Sequence, residues 1–188
     1  MDINRFTEKL QDGLHAAQTI AAQQSHQQID VEHLLLALLD QEGGLAPAIL
    51  EKVGIAPATV RERLEQALAR LPQVSGPAAG PEQVYITTRL NRLLAQAEDE
   101  AKRLNDEYVS VEHVLLRMVE EGRSGAAGRI LADLGLTRDR LMNALRSMRG
   151  AQRVTSPTPE ETYRALERYG RDLTKLAAQG KLDPVIGR

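Results

Sequence analysis

The sequence predicts an all-α protein made of two tandem copies of a four-helix unit, and three observations carry that expectation. The segments IDVEHLLLALLD (Ile29 to Asp40) and VSVEHVLLRMVE (Val109 to Glu120) are near-copies, 80 residues apart. Upstream, Phe6, Leu10, Leu14, Ala17 and Ala21 correspond to Ile86, Leu90, Leu94, Ala97 and Ala101. Both sets step by 4, 4, 3 and 4 residues, the spacing of one apolar stripe on an α-helix. Downstream the offset becomes 81, pairing Ile49, Leu50, Gly54 and Leu64 with Ile130, Leu131, Gly135 and Leu145. One residue was therefore gained or lost in the turn after the shared motif. A duplicated unit of this kind buries its apolar face against its twin.

Helices are expected near 3–23, 30–41, 45–53 and 57–70, and again near 85–104, 110–121, 125–134 and 138–149. Asp30 and Ser110 stand where an N-cap oxygen accepts a backbone N–H of the following turn. Ile29 with Leu34, and Val109 with Val114, occupy the two positions of a hydrophobic staple. Gly54 and Gly135 suit the left-handed residue after a helix, with Ile55 and Leu136 folding back toward Leu50 and Leu131. Pro57 suits a first helical turn. No strand with convincing alternation is expected. Residues 1–149 thus form one domain, with repeat one at 1–74 and repeat two at 82–149.

Two stretches break the pattern. Ser75 to Pro81 (SGPAAGP) is too rich in Gly and Pro for a helix and joins the repeats. Ala151 to Pro159 (AQRVTSPTP) reads as a flexible linker over 150–159, spanning roughly 15–18 Å. Beyond it, Glu160 to Tyr169 is a short amphipathic helix with Tyr163, Leu166 and Tyr169 on one side, and a second helical stretch follows around Leu173 to Ala178. Val185 and Ile186 are apolar with no local partner, so residues 160–188 read as the start of a further domain.

Composition excludes several classes of function. There is no cysteine, hence no disulfide framework, thiol nucleophile or cysteine zinc site. The net charge of −2 and the scarcity of aromatic residues argue against nucleic-acid binding by a basic surface or by base stacking. No apolar run approaches the roughly 20 residues of a membrane span, and charges interrupt the first helix early.

The twin pairs Glu32-His33 and Glu112-His113 invite a metal or acid–base reading. Adjacent helical residues diverge by about 100°, so each pair fails to converge on one ion, and the histidines are expected to orient the helix start instead. His15 and His26 are expected to face solvent. Glu98-Asp99-Glu100 reads as a solvated helix face laced with Lys102 and Arg103 rather than as paired catalytic carboxylates. No phosphate-binding glycine loop is present. The apolar excess in Leu34 to Leu39 and Leu115 to Val119 reads first as two buried central helices, with apolar rims beside them as the alternative.

On these repeats, on ARLPQVSG (Ala69 to Gly76), on SMRG (Ser147 to Gly150) and on RYGRDLTKLAAQGKLDPVIGR (Arg168 to Arg188), the whole chain resembles the N-terminal part of the ClpB family of bacterial protein disaggregases. The resemblance implies the Clp N-terminal domain fold, a pair of four-helix repeats related by pseudo-twofold symmetry, followed by the lead-in to a first AAA+ nucleotide-binding domain. It implies a cytoplasmic, stress-linked chaperone domain that is not itself an enzyme. Such a domain would bind exposed apolar segments of unfolded or aggregated polypeptides and pass them to a hexameric ATPase ring working with the DnaK chaperone system. The alternative within the wider group is an adaptor-docking domain of an unfoldase that feeds a peptidase. Family positions tied to substrate handling fall on Thr7, Asp106 and Glu112, with Leu104, Tyr108 and Val109 as neighbouring apolar candidates. Equivalents of other family groove positions are polar here, at Gln96, Glu100 and His113. ATP, Mg and a coiled-coil insertion would belong to the parent protein. Val185 and Ile186 match the segment that borders the adenine, and no measurable ATP binding is expected of this chain. The resemblance implies a monomer for this piece, and the residues themselves lead us to expect no metal, nucleic acid or membrane as partner.

Overall fold

The computed structural model describes residues 2–74 and 84–164, and the first repeat contributes four helices. These are α1 (Glu8–Gln23), α2 (Val31–Leu39), α3 (Leu45–Lys52) and α4 (Pro57–Ala69). The second contributes α5 (Thr88–Arg103), α6 (Val111–Glu121), α7 (Ala126–Asp133) and α8 (Arg138–Arg149). The all-α expectation and the eight helices expected over residues 3–149 hold. Two boundaries move: Thr7 and Thr87 are N-caps, each accepting a backbone N–H three residues on, from Leu10 (3.4 Å) and Leu90 (3.0 Å). Residues before them are therefore extended, apart from a short 3-10 turn at Ile3–Arg5, because a threonine hydroxyl satisfies an orphan donor better at a cap than inside a helix.

The extended residues form small strands, a departure from the strand-free expectation. β1 (Gln28–Ile29) pairs in parallel with β2 (Tyr85–Ile86), and Phe6 bridges Val109 in the same sense. Each pairing joins the residues before the first helix of one repeat to those before the second helix of the other. Thr87 N–H donates to the Ile29 carbonyl (3.1 Å), while Val109 N–H donates to Arg5 (2.8 Å) and Thr7 N–H to Val109 (2.9 Å). Patterns this short carry no period that a sequence can display.

The exchange continues in the core. α3 packs on α6 and α8 of the other repeat, and α7 packs on α2 and α4. All nine residues of α2 are buried, and Leu115, Leu116 and Met118 of α6 are buried with them. The apolar excess of both motif helices is thus absorbed inside, where each leucine contributes about 1.5–3 kcal/mol. Gly54 (φ 82°) and Gly135 (φ 91°) take the left-handed conformation, and Ile55 and Leu136 donate back to Leu50 (2.8 Å) and Leu131 (2.9 Å).

The segment expected as a flexible linker lies against both repeats. Val154 is fully buried, its carbonyl accepts from Glu107 N–H (2.8 Å), and the Pro157 carbonyl accepts from Glu8 N–H (2.9 Å). Residues 159–164 are helical and carry Glu160 and Tyr163 into buried positions. The Ser75 to Pro81 connection and everything from residue 165 onward, including Tyr169, Val185 and Ile186, lie outside the described residues.

Candidate functional site

The six residues singled out in the sequence separate into three places. Thr7 and Val109 sit in the inter-repeat bridge, buried, with their main chains hydrogen-bonded to each other. Asp106 and Glu112 lie inside, gathered by Arg149 from the last turn of α8. The Arg149 guanidinium donates to Asp106 Oδ1 (2.6 Å) and Oδ2 (3.1 Å) and to Glu112 Oε2 (3.1 Å). Leu104 and Tyr108 remain half-buried, near the surface.

Asp106 is the hub of the buried group. It also accepts from His113 Nε2 (2.7 Å) and from Val154 N–H (2.8 Å). Burial alone would push its carboxyl up, but the His113 and Arg149 hydrogen bonds outweigh that and hold it at about 2. The Tyr163 hydroxyl reaches toward Glu112 Oε2 (3.5 Å), and burial beside that carboxylate raises the phenol well above its usual range. Thus the carboxylates that the resemblance ties to substrate handling are internal, beneath residues 154–163.

The histidines sit at the helix starts, as expected from their position. Asp30 N–H donates to His33 Nδ1 (2.9 Å), and Ser110 N–H donates to His113 Nδ1 (2.8 Å). Each imidazole takes the place of the Glu or Gln of a capping box. Because Nδ1 accepts, the ring proton is assigned to Nε2. Among the described residues, no three His, Asp or Glu side chains converge as a metal site would require.

Two expectations about polar residues need correction. His26 is buried, not solvent-facing, and its Nδ1 lies 2.9 Å from His33 Nε2. Glu100 is fully buried rather than part of a solvated face, held by Arg138 (3.0 Å to each oxygen), Arg103 and Arg117. Its position three residues after Ala97 and seven after Leu93 places it on the apolar stripe, a signal that a run of charges conceals. Arg149, the residue that organises the buried group, carried no such signal.

What is open at the surface is a shallow groove of about 290 Å3 lined by Leu104, Met142 and Leu145, with Arg146 and Arg153 beside them. Leu104 therefore lies where an apolar segment would meet side chains, and Met142 adds a flexible apolar contact that sequence reasoning missed. A second open region pairs Leu71 and Pro72 with Tyr85 and His26.

Comparison with known proteins fits this architecture. The chaperone protein ClpB of Nitratidesulfovibrio vulgaris is 50% identical over all 188 residues, which span 22% of that protein. The Bacillus cereus ClpB is 44% identical over the same 188 residues, again 22% of its length. Among solved structures, the Hsp104 N-terminal domain from Candida albicans matches 82% of this chain and 98% of its own (TM-score 0.67, 19% identity). The N-terminal domain of the Arabidopsis thaliana chaperone ClpD matches 78% and 98% (TM-score 0.56, 21% identity). Those two support the fold alone. The Clp repeat (R) N-terminal domain family matches residues 5–134. With its duplicated four-helix units interlocked through their motif helices, the chain belongs to that family and corresponds to the N-terminal region of ClpB chaperones.

Proposed function

We propose that this chain is the substrate-engaging N-terminal domain of an ATP-dependent protein disaggregase. It takes exposed apolar segments of unfolded or aggregated polypeptides and hands them to a hexameric AAA+ ring formed by the rest of the protein. The observation that carries the reading is 44–50% identity with ClpB chaperones along the whole chain, joined to an open groove where Leu104 and Met142 stand beside Arg146 and Arg153 over the buried Leu145. A groove this small binds weakly. Weak capture suits a domain held near a ring in several copies, since tethering supplies a high effective concentration without slow release.

The test is an NMR titration of the 188-residue chain with a permanently unfolded apolar polypeptide, using a folded protein as control. Shifts should cluster at Leu104, Met142 and Leu145 with the unfolded chain only, and Met142→Asp should weaken binding at least severalfold. Binding of the folded control instead would favour docking of an adaptor. No shift with either at millimolar concentration would remove the groove as a capture site.

A further inference from the structure

Residues 151–163 leave the end of α8 and run back over both repeats as a strap. Its first residues, with Gly150, form one wall of the Leu104 groove, so groove and strap are contiguous. Over residues 152–157 the strap is held by its main chain. Val154 N–H donates to Asp106 Oδ1 (2.8 Å), and the Val154 carbonyl accepts from Glu107 N–H (2.8 Å) and Tyr108 N–H (3.4 Å). The Gln152 carbonyl accepts from Arg149 Nε (2.9 Å) and the Pro157 carbonyl from Glu8 N–H (2.9 Å). Glu8 opens α1, where backbone N–H groups lack partners within the helix. Every polypeptide carries the main-chain groups used here, so the floor beneath the strap fits an extended chain rather than one particular sequence. Two side chains add anchors: Val154 is fully buried, and Tyr163 is buried beside Leu45, Ala48 and Met148.

The pseudo-twofold relation shows that the repeats leave this place incomplete. At the equivalent junction around Glu32, Arg89 of α5 donates to Glu32 Oε1 (2.9 Å) and Oε2 (3.0 Å), and Glu32 also accepts Ala127 N–H (2.9 Å). The repeats close that junction by themselves. The offset of 80 puts Glu112 in the place of Glu32 and Lys9 in the place of Arg89, but the Lys9 ammonium donates to the Glu42 carbonyl (3.2 Å). Glu112 is met instead by Arg149 and, from the strap, by the Tyr163 hydroxyl.

The strap fits this place imperfectly. Glu160 is 6% exposed, and neither of its carboxylate oxygens has a hydrogen-bond partner. Burial first, with smaller effects of the nearby Glu112, Glu161 and Lys9 charges, pushes its carboxyl up to about 7. Docking of the strap therefore takes up a proton and weakens as pH rises from 4.5 to about 7. Above that, a buried charge without a partner works against the docked state.

We propose that residues 151–163 are a built-in competitor, occupying a stretch of polypeptide-binding surface that continues the Leu104 groove until an extended segment of another polypeptide displaces them. The incoming segment sets its main chain against Glu8, Glu107 and Tyr108, an apolar side chain at the place of Val154 and an aromatic ring at the place of Tyr163. This rests on the capture reading above and adds a control to it, because apparent affinity scales with the fraction of chains whose strap is lifted.

The experiment compares the 188-residue chain with its Val154→Asp and Glu160→Gln variants by 15N NMR at pH 8, with circular dichroism to show that the repeats stay folded. Val154→Asp places a charge in a fully buried position and should shift the Glu8, Glu107 and Tyr108 amides as the strap lifts. A synthetic acetylated peptide of residues 151–165 should return those amides to their original positions, and the same peptide with the Val154→Asp change should not. The permanently unfolded polypeptide should bind Val154→Asp about tenfold more tightly than the parent chain, and Glu160→Gln about threefold more weakly, since its strap docks without a buried charge. Failure of the synthetic strap to restore the amides, or equal polypeptide affinity in all three chains, would overturn the proposal while leaving shifts at Leu104 and Met142, and with them the capture reading, in place. Absence of polypeptide binding in all three would overturn both.

Discussion

Repeat one and repeat two begin their motif helices with the same device, a histidine that accepts the N-cap N–H through Nδ1, and differ in what stands behind it. Residues 26 and 106 occupy the same place, 80 apart, each just after a left-handed turn residue, Ser25 or Asn105, both at φ 58°. In repeat one that residue is His26 and the pair is two imidazoles. In repeat two it is Asp106, a carboxylate that brings Arg149 and Glu112 with it. The same backbone thus supports a neutral pair and an ionic network, and the choice rests on one side chain. A neutral pair can be buried without partners for charge. A carboxylate in that place requires a cation, and only α8 supplies one there.

The largest break in this comparison would come from Arg149→Ala. It leaves Asp106 and Glu112 buried without their cation, at a cost of about 3–5 kcal/mol in urea unfolding. Arg89→Ala in the other junction should cost less, about 1–2 kcal/mol, because Arg89 and two of its carboxylate partners, Asp30 and Glu121, are partly exposed to water.

The neutral pair gives a difference in pH dependence. Burial first, then the neighbouring His26, lowers His33 to about 4, and burial lowers His26 against a weaker pull from the Leu68 carbonyl. The unfolded chain therefore takes up protons first. The contribution is complete above the unfolded value of 6.5 and is lost as pH falls from there toward 4, on the order of 3 kcal/mol for His33. Asp106 behaves otherwise: its contribution persists above 3.8 and is lost only as pH falls toward 2. Unfolding curves from pH 7 to 3 should separate the two, and in His26→Asp the His33 imidazole should titrate above 4 in an NMR pH series.

The smallest effect sharpens the symmetry. Thr7→Ala and Thr87→Ala remove equivalent N-caps and should each cost about 1 kcal/mol in denaturant unfolding. A much larger loss of polypeptide binding for Thr7→Ala at preserved fold would give Thr7 a role beyond its cap.

Much of the fold was legible because its signals are local. The stripes of α1 and α5, the staples at Ile29 and Val109 and the glycines at 54 and 135 each act within one or two turns, where residue spacing maps directly onto geometry. The candidate site was less legible. Asp106 and Glu112 were singled out, but nothing in sequence spacing brings Arg149 to them, 43 and 37 residues away. Glu100 read as one charge in an exposed run, yet Arg138, 38 residues on, closes over it.

The sequence by itself determined that this is a duplicated helical unit, where its helices lie apart from the starts of α1 and α5, and that the motif helices are core. Those facts follow from periodicity and caps, which a chain expresses without reference to distant residues. Only the tertiary structure decided that the repeats exchange short strands, that His26 and Glu100 are buried, and that Glu32 meets Arg89 across the repeats while its counterpart Glu112 meets Arg149. Such outcomes depend on which polar groups meet after the helices pack, and burial makes each meeting costly to leave unsatisfied.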